Sequence, residues 1–252
     1  MSAILISFVV FASTFVGALI GIQSRQRLPA HHLSHESEKV VQLCMGLIAT
    51  LTALVLGLVT ASAKEAYDEQ AVAIRSVAAG ILVLDRTLER FGDGAEAVRA
   101  DIRAGVAHRL GREWIMGEPP GVHNTAPGIK TPDEIEDAIL NLTPHDERET
   151  FLKSQALDVA VDVLKTRWLA LAGAGDVVPT PFLVVIVFWL TALFWSFGLF
   201  APNHRTVIAV LLLSSLSVAA SVFLILEMQT PFSGVLKVSR APLHYVLEQL
   251  GK

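Results

Sequence analysis

Gly46, Thr50, Ala53, Gly57 and Ala61 follow one another at steps of 4, 3, 4 and 4. That spacing gathers five small or weakly polar side chains on one face of a helix. Thr60 and Lys64 fall on the same face, while Leu47, Leu51, Leu54 and Leu58 make the other side. No charge interrupts residues 40–63. In lipid, apolar side chains gain nothing by leaving their surroundings, so helices associate where small residues let them come close. Two readings follow. The face packs within one subunit, or it lines or borders an axial pathway in an oligomer. In the second reading Thr50, Thr60 and Lys64 are the polar contacts, with Lys64 at the mouth.

Other residue types that could do chemistry are sparse. Glu227 closes an apolar stretch that also contains Ser214, Ser215, Ser217 and Ser221. Ser214, Ser217 and Ser221 share a face, suited to helix packing or to a water-lined cavity. Glu227 reads as a membrane-boundary acid able to pair with Lys64 or Lys237. No apolar stretch carries an ionisable side chain near its centre, which argues against a proton-coupled pump. His31 and His35 stand at i, i+4, a spacing that suits a divalent metal. They enclose Leu33 and Ser34 rather than the Glu of catalytic zinc motifs, so the pair is a weak candidate beside a pH-sensitive or simply solvated loop. There is no Gly-rich phosphate loop, no G-x-S-x-G and no dinucleotide fingerprint. Cys44 is the only cysteine. Asp85-Arg86 and Glu89-Arg90 read as surface ion pairs. No catalytic residue, cofactor or metal is therefore assigned, and the chain is not read as an enzyme.

These residues must be positioned by helices. Four apolar stretches, about 4–22, 40–63, 177–201 and 207–226, each approach the roughly 20 residues that cross a bilayer core. Between the two pairs, Lys64 to Asp176 holds 13 of the 20 Lys/Arg and 20 of the 24 Asp/Glu. The expected organisation is a transmembrane hairpin over 1–63, a polar helical domain over 64–176, a second hairpin over 177–226 and a C-terminal tail over 227–252. The fold class is all-α: a polytopic membrane protein with four transmembrane helices and a helical extramembrane domain. Met1-Ser2-Ala3 lacks a basic residue and a basic cluster follows the first stretch, so that stretch reads as an uncleaved anchor. Four spans put both termini and the middle domain on one side of the membrane, with loops 23–39 and 202–206 on the other. Arg25 and Arg27 favour a cytoplasmic first loop, whereas Lys64, Lys165, Arg167, Lys237 and Arg240 pull the other way. The side stays open. An acidic middle domain in a chain of net charge −4 gives no nucleic-acid signal.

Within the polar domain, Tyr67, Ala71, Ile74, Ala78, Ile81, Leu84 and Leu88 continue the second span as an apolar stripe. Exposed, that stripe would exceed the patches soluble surfaces tolerate. It must pack on helices near 95–116 and 144–172, or on copies of itself. Gly92-Asp93-Gly94 ends the helix. Val98, Ile102, Val106, Leu110 and Trp114 mark a second helix, and Gly117 to Lys130 reads as a loop. Thr131-Pro132-Asp133-Glu134 and Thr143-Pro144-His145-Asp146 each offer a Thr N-cap, a Pro at the first helical position and an acid at the third. The later helix is expected to end at Gly173-Ala174-Gly175, with Pro179 and Pro181 at the entry to the third span.

Several segments resemble a bacterial group of uncharacterised membrane proteins described as bestrophin-like. They are Leu28-Pro29-Ala30-His31-His32-Leu33-Ser34, Gly46-Leu47-Ile48-Ala49-Thr50-Leu51 and Leu56-Gly57-Leu58 through Ala63-Lys64. Asp68-Glu69-Gln70, Leu84-Asp85-Arg86 and Glu227-Met228-Gln229-Thr230-Pro231-Phe232-Ser233-Gly234 belong with them. The resemblance implies kinship with bestrophins, pentameric anion channels with four spans per subunit and cytosolic helices. The second span lacks their aromatic and proline-bearing pore neck, and no acidic calcium clasp follows the fourth. Selectivity and gating are therefore not carried over.

The expected function is a homo-oligomeric, channel-like protein of the cell (inner) membrane, with the lipid bilayer, further copies of itself and small ions as partners. The alternative is a membrane-anchored signalling or scaffolding protein without transport activity.

Overall fold

The computed structural model describes residues 3–29, 35–111, 129–172, 180–229 and 235–251. Along them run α1 (Ala3–Arg27), α2 (His35–Phe91), a 3-10 turn at Asp93–Ala95, α3 (Glu96–Gly111) and α4 (Pro132–Leu140). They are followed by α5 (Glu147–Ala172), α6 (Thr180–Phe200), α7 (Arg205–Met228) and α8 (Ala241–Gln249). No strand occurs among the described residues. The chain is all-α, and α1, α2, α6 and α7 are long and apolar enough to cross a membrane. Trp114, the loop from Gly117 to Gly128, Gly173-Ala174-Gly175, Pro179 and the Thr230–Gly234 part of the last resembling segment lie outside the described residues.

The chain divides into two compact units. One comprises Met1–Ala66 with Asp176–Gln229, the other Tyr67–Gly175 with Thr230–Lys252. Helix α2 contributes its first half to one and its second half to the other.

In the first unit α1 packs along α6 and α7. Glycines set the α1–α6 crossing. A Cβ on Gly21 would overlap the Trp195 carbonyl oxygen, and one on Gly198 would overlap that of Ala18. A Cβ on Gly17 would meet the Thr191 Cγ2 at 3.0 Å. Without a Cβ the backbones touch, which maximises van der Waals contact where lipid supplies no hydrophobic drive. Val10, Ala219, Val222 and Leu226 form one apolar cluster, and Ala18, Ile22, Phe194 and Leu211 another. Thr14 is fully buried, and its hydroxyl donates to the Val10 carbonyl at 2.8 Å. Such back-bonding satisfies a polar group that has no water to turn to. In the last turn of α1, Arg25 donates to the Ala201 carbonyl at 2.8 Å, closing the C-terminus of α6.

The second unit buries the α2 stripe within the protomer. Ile74, Ala78, Leu84 and Leu88 join Val98, Ile102 and Val106 of α3 in one core, with Ile139 of α4 and Leu152 of α5. Tyr67, Ala71 and Ile81 pack at its margin. The C-terminal segment is part of this core, since Leu243 and Val246 of α8, with Leu250 just beyond, are buried in it. Gly92, at φ 103°, ends α2 in a conformation that a Cβ disfavours. At α4 the expected capping box is present: the Thr131 hydroxyl accepts from the Glu134 N–H at 3.2 Å, and the Glu134 carboxylate accepts from the Thr131 N–H at 2.6 Å. At α5 the start differs from the sequence expectation. The helix begins at Glu147, and Asp146 rather than Thr143 supplies the cap, accepting from the Glu149 N–H at 2.6 Å. The Glu149 carboxylate reaches back to the His145 N–H at 2.7 Å. The cap thus sits at Asp146, three residues later than expected, and the charges of Asp146 and Glu149 favour a helix N-terminus more than a neutral hydroxyl does.

Candidate functional site

The first half of α2 is built unlike the other spans. Only 6% of its apolar window is buried inside the protomer, against 28%, 39% and 28% in α1, α6 and α7. Between residues 36 and 66 only Thr52 and Ala63 are buried. Ala63 meets Ile225 of α7, with Leu56, Val59, Leu183 and Met228 around them. The small face and the leucine side are exposed.

Each residue of the small face lies on this open surface. Gly46, Thr50, Ala53, Gly57, Thr60, Ala61 and Lys64 are all exposed. A Cβ built on Gly46 or on Gly57 would have nothing within 4 Å. Two such glycines stand in an exposed helix, where each costs roughly 1 kcal/mol relative to Ala. The threonine hydroxyls are locally satisfied, Thr50 by the Gly46 carbonyl at 2.9 Å and Thr60 by that of Leu56 at 2.7 Å. Each oxygen keeps acceptor capacity.

Toward its N-terminus the face extends beyond the apolar window. Gln42 and Lys39 precede Gly46 at steps of four and three, both exposed, so they continue the same stripe. The Gln42 side-chain N–H donates to the Glu38 carboxylate at 3.0 Å. A groove of about 430 Å³ opens here between α2 and the end of α6, with Gln42, Met45 and Gly46 facing Ser196 and Phe197. Lys39 lies just outside the apolar stretch 40–63 and Gln42 just inside it, and neither is small, so a motif of small residues leaves both out. The unbroken 3/4 spacing was the available signal. Lys39 and Lys64 thus bracket the stripe, roughly 37 Å apart along a helix rising 1.5 Å per residue.

Glu227, at the end of α7, is among the buried polar groups, at 5% exposure. In α7 the serine face also sits differently from a packed interface. Ser217 and Ser221 are exposed and donate back to the Leu213 and Ser217 carbonyls at 2.9 and 3.0 Å. The fully buried serine is Ser215. His31 lies outside the described residues, as does the side chain of His35, whose backbone opens α2. Among the described residues no three or more His, Cys, Asp or Glu are grouped to hold a metal.

In the second unit these charges pair otherwise than the sequence expectation of Asp85 with Arg86 and Glu89 with Arg90. Arg86 and Glu89 do pair at the surface at 2.9 Å. Asp85 instead turns inward, 2% exposed, where Arg99 of α3 grips it with Nε–Oδ1 at 2.8 Å and Nη2–Oδ2 at 3.2 Å. Spacing within one helix could not reveal a partner on the next. The hydrogen bond to Asp85, opposed by burial and reinforced by the nearby acids, holds the Arg99 guanidinium above its ordinary range. Gln70, also buried, donates to the Ala170 carbonyl at 2.8 Å and ties α2 to α5.

A protein-family model described as a bestrophin-like domain matches residues 12–243. No curated protein and no solved structure matches the chain.

Proposed function

The chain belongs to the bestrophin-like family, and on that premise we propose that it is a homo-oligomeric membrane channel for small ions, with α2 nearest the symmetry axis. One observation carries the reading: the membrane half of α2 leaves its small face unpacked in the protomer, with open space beside Gly46 and Gly57. Glycines in an exposed helix are a cost unless a second backbone or a narrow aqueous path needs the room. Symmetry-related copies of α2 would supply both, each presenting the stripe from Lys39 to Lys64. A lysine at either end of a weakly polar face favours anions over cations, since fixed charges at a mouth concentrate counter-ions. The role proposed is conduction, not catalysis.

In this reading both termini and the polar unit lie in the cytoplasm.

Protein reconstituted into vesicles is expected to pass small ions, and Gly57→Leu to reduce the flux. Vesicles that stay tight to anions and cations alike would reject the channel. Mass measurement in detergent then separates the alternative: a closed ring fits a pore, whereas a monomer or two-fold dimer fits a membrane-anchored scaffold.

A further inference from the structure

The helical unit exposes large apolar side chains at two places where its chain joins the membrane helices. In the last turns of α5, Trp168 is 48% exposed and Leu169 64%, with Lys165 also exposed one turn before them. After α7, Val235 is 73% exposed and Leu236 38%. Single apolar side chains on a protein surface are ordinary. Two adjacent pairs beside the membrane helices are not. Leu169 lies shortly before α6 opens at Thr180, and Val235 shortly after α7 ends at Met228. Buried neighbours fix both pairs: Ala170 next to Leu169, and Val238 and Leu243 beyond Leu236, belong to the core of the unit.

The level of α5 can be read along α2, whose apolar stretch ends at Ala63. Gln70 stands six residues beyond Lys64, about 9 Å further along the helix. Its side chain donates to the Ala170 carbonyl at 2.8 Å. Further along α2, a Cβ on Gly80 would overlap Val163. The two contacts make α5 antiparallel to α2, so α5 descends as α2 rises. Its last turn is thereby brought to the outer side of the lipid headgroups, a layer about 5–8 Å deep beyond the hydrocarbon.

We propose that Trp168, Leu169, Val235 and Leu236 form a rim seated in the headgroup layer of the bilayer that the chain itself crosses. The chemistry fits a lipid surface. Indole favours this layer because its ring is apolar while its N–H seeks a polar partner. A lysine stem lies along apolar surface and carries its ammonium toward phosphate, which suits Lys165. Glu65 and Glu69 are exposed on α2 near the same level, so apolar burial rather than net charge drives the contact. A rim held in lipid also steadies α2, since Gln70 ties the end of α5 to that helix just beyond its apolar stretch. This holds whether or not α2 lines a pore.

Spin labelling of the full chain in phosphatidylcholine vesicles tests the proposal. Cys44 is the only cysteine, so Cys44→Ser clears the background for a nitroxide at Leu169→Cys. Phe151→Cys is the control, an exposed position about 27 Å away along α5. Oxygen concentrates in lipid, whereas a nickel chelate stays in water. The oxygen-to-nickel collision ratio is expected to be several-fold higher at Leu169→Cys than at Phe151→Cys. Equal ratios would put Leu169 in water and overturn the proposal. A label at Leu169→Cys shielded from both agents would mean that a second copy covers the face, which also overturns it. If Leu169→Cys does not fold, as judged by circular dichroism, Val235→Cys is labelled instead and read against the same two outcomes.

Discussion

A Cβ placed on Gly21 would stand 3.1 Å from the carbonyl carbon of Gly198, two residues 177 positions apart that bring α1 and α6 into backbone contact. Replacing either glycine by leucine should disrupt the first unit. Removing a helix glycine gains about 1 kcal/mol of propensity, whereas overpacking costs about 1–3 kcal/mol when side chains can adjust. Here the obstacle is backbone, which cannot rotate away, so the cost should sit at or above the top of that range. Gly21→Leu and Gly198→Leu are expected to lower the thermal midpoint in detergent sharply or to prevent purification. Unchanged midpoints would show that the two helices do not cross as described.

Gly57→Leu should behave in the opposite manner. Open space surrounds that position in the protomer, so protomer stability should hold or rise slightly through helix propensity. Oligomer mass and ion flux should fall. A Gly57→Leu variant that conducts normally as a full ring would remove α2 from the axis.

Asp85→Ala strips the buried partner from Arg99 and should cost the helical unit about 2–3 kcal/mol, the worth of hydrogen bonds between charged groups. Asp85→Asn should recover part of this, because one acceptor oxygen remains. Chemical denaturation measures both. The contribution has a definite alkaline behaviour: the guanidinium is held above its ordinary value, so the stabilisation is complete below that value. It is lost only as pH rises past it, and the cost of Asp85→Ala should be the same at pH 7 and about pH 9.

Helix α5 offers a paired test. Asp146→Ala should cost about 1 kcal/mol as the loss of an N-cap, while Thr143→Ala should be nearly neutral. The reverse ranking would restore Thr143 as the cap.

Charge reversal at the two ends of the small stripe tests selectivity. With Lys39→Glu and Lys64→Glu combined, the reversal potential in asymmetric salt should move toward that of a cation-preferring pore. No movement would mean that neither lysine faces the permeating ion.

Sequence alone determined what depends on nearest neighbours and on solvent. Twenty apolar residues in a row have few stable alternatives to a membrane helix, because lipid leaves backbone groups no partners but each other. The stripe from Tyr67 to Leu88 declared a buried face by its period, and Thr131 declared its cap three residues from Glu134. Such signals lie within one or two helical turns, so counting finds them. Tertiary structure decided whatever needs a partner far along the chain. Asp85 looked like a surface acid until Arg99 arrived on another helix. Gly21 revealed its purpose only against Gly198, while the more regular small face of α2 stands exposed among the described residues of its own protomer. Spacing tells which side chains share a face. What that face touches is fixed only when the helices are brought together.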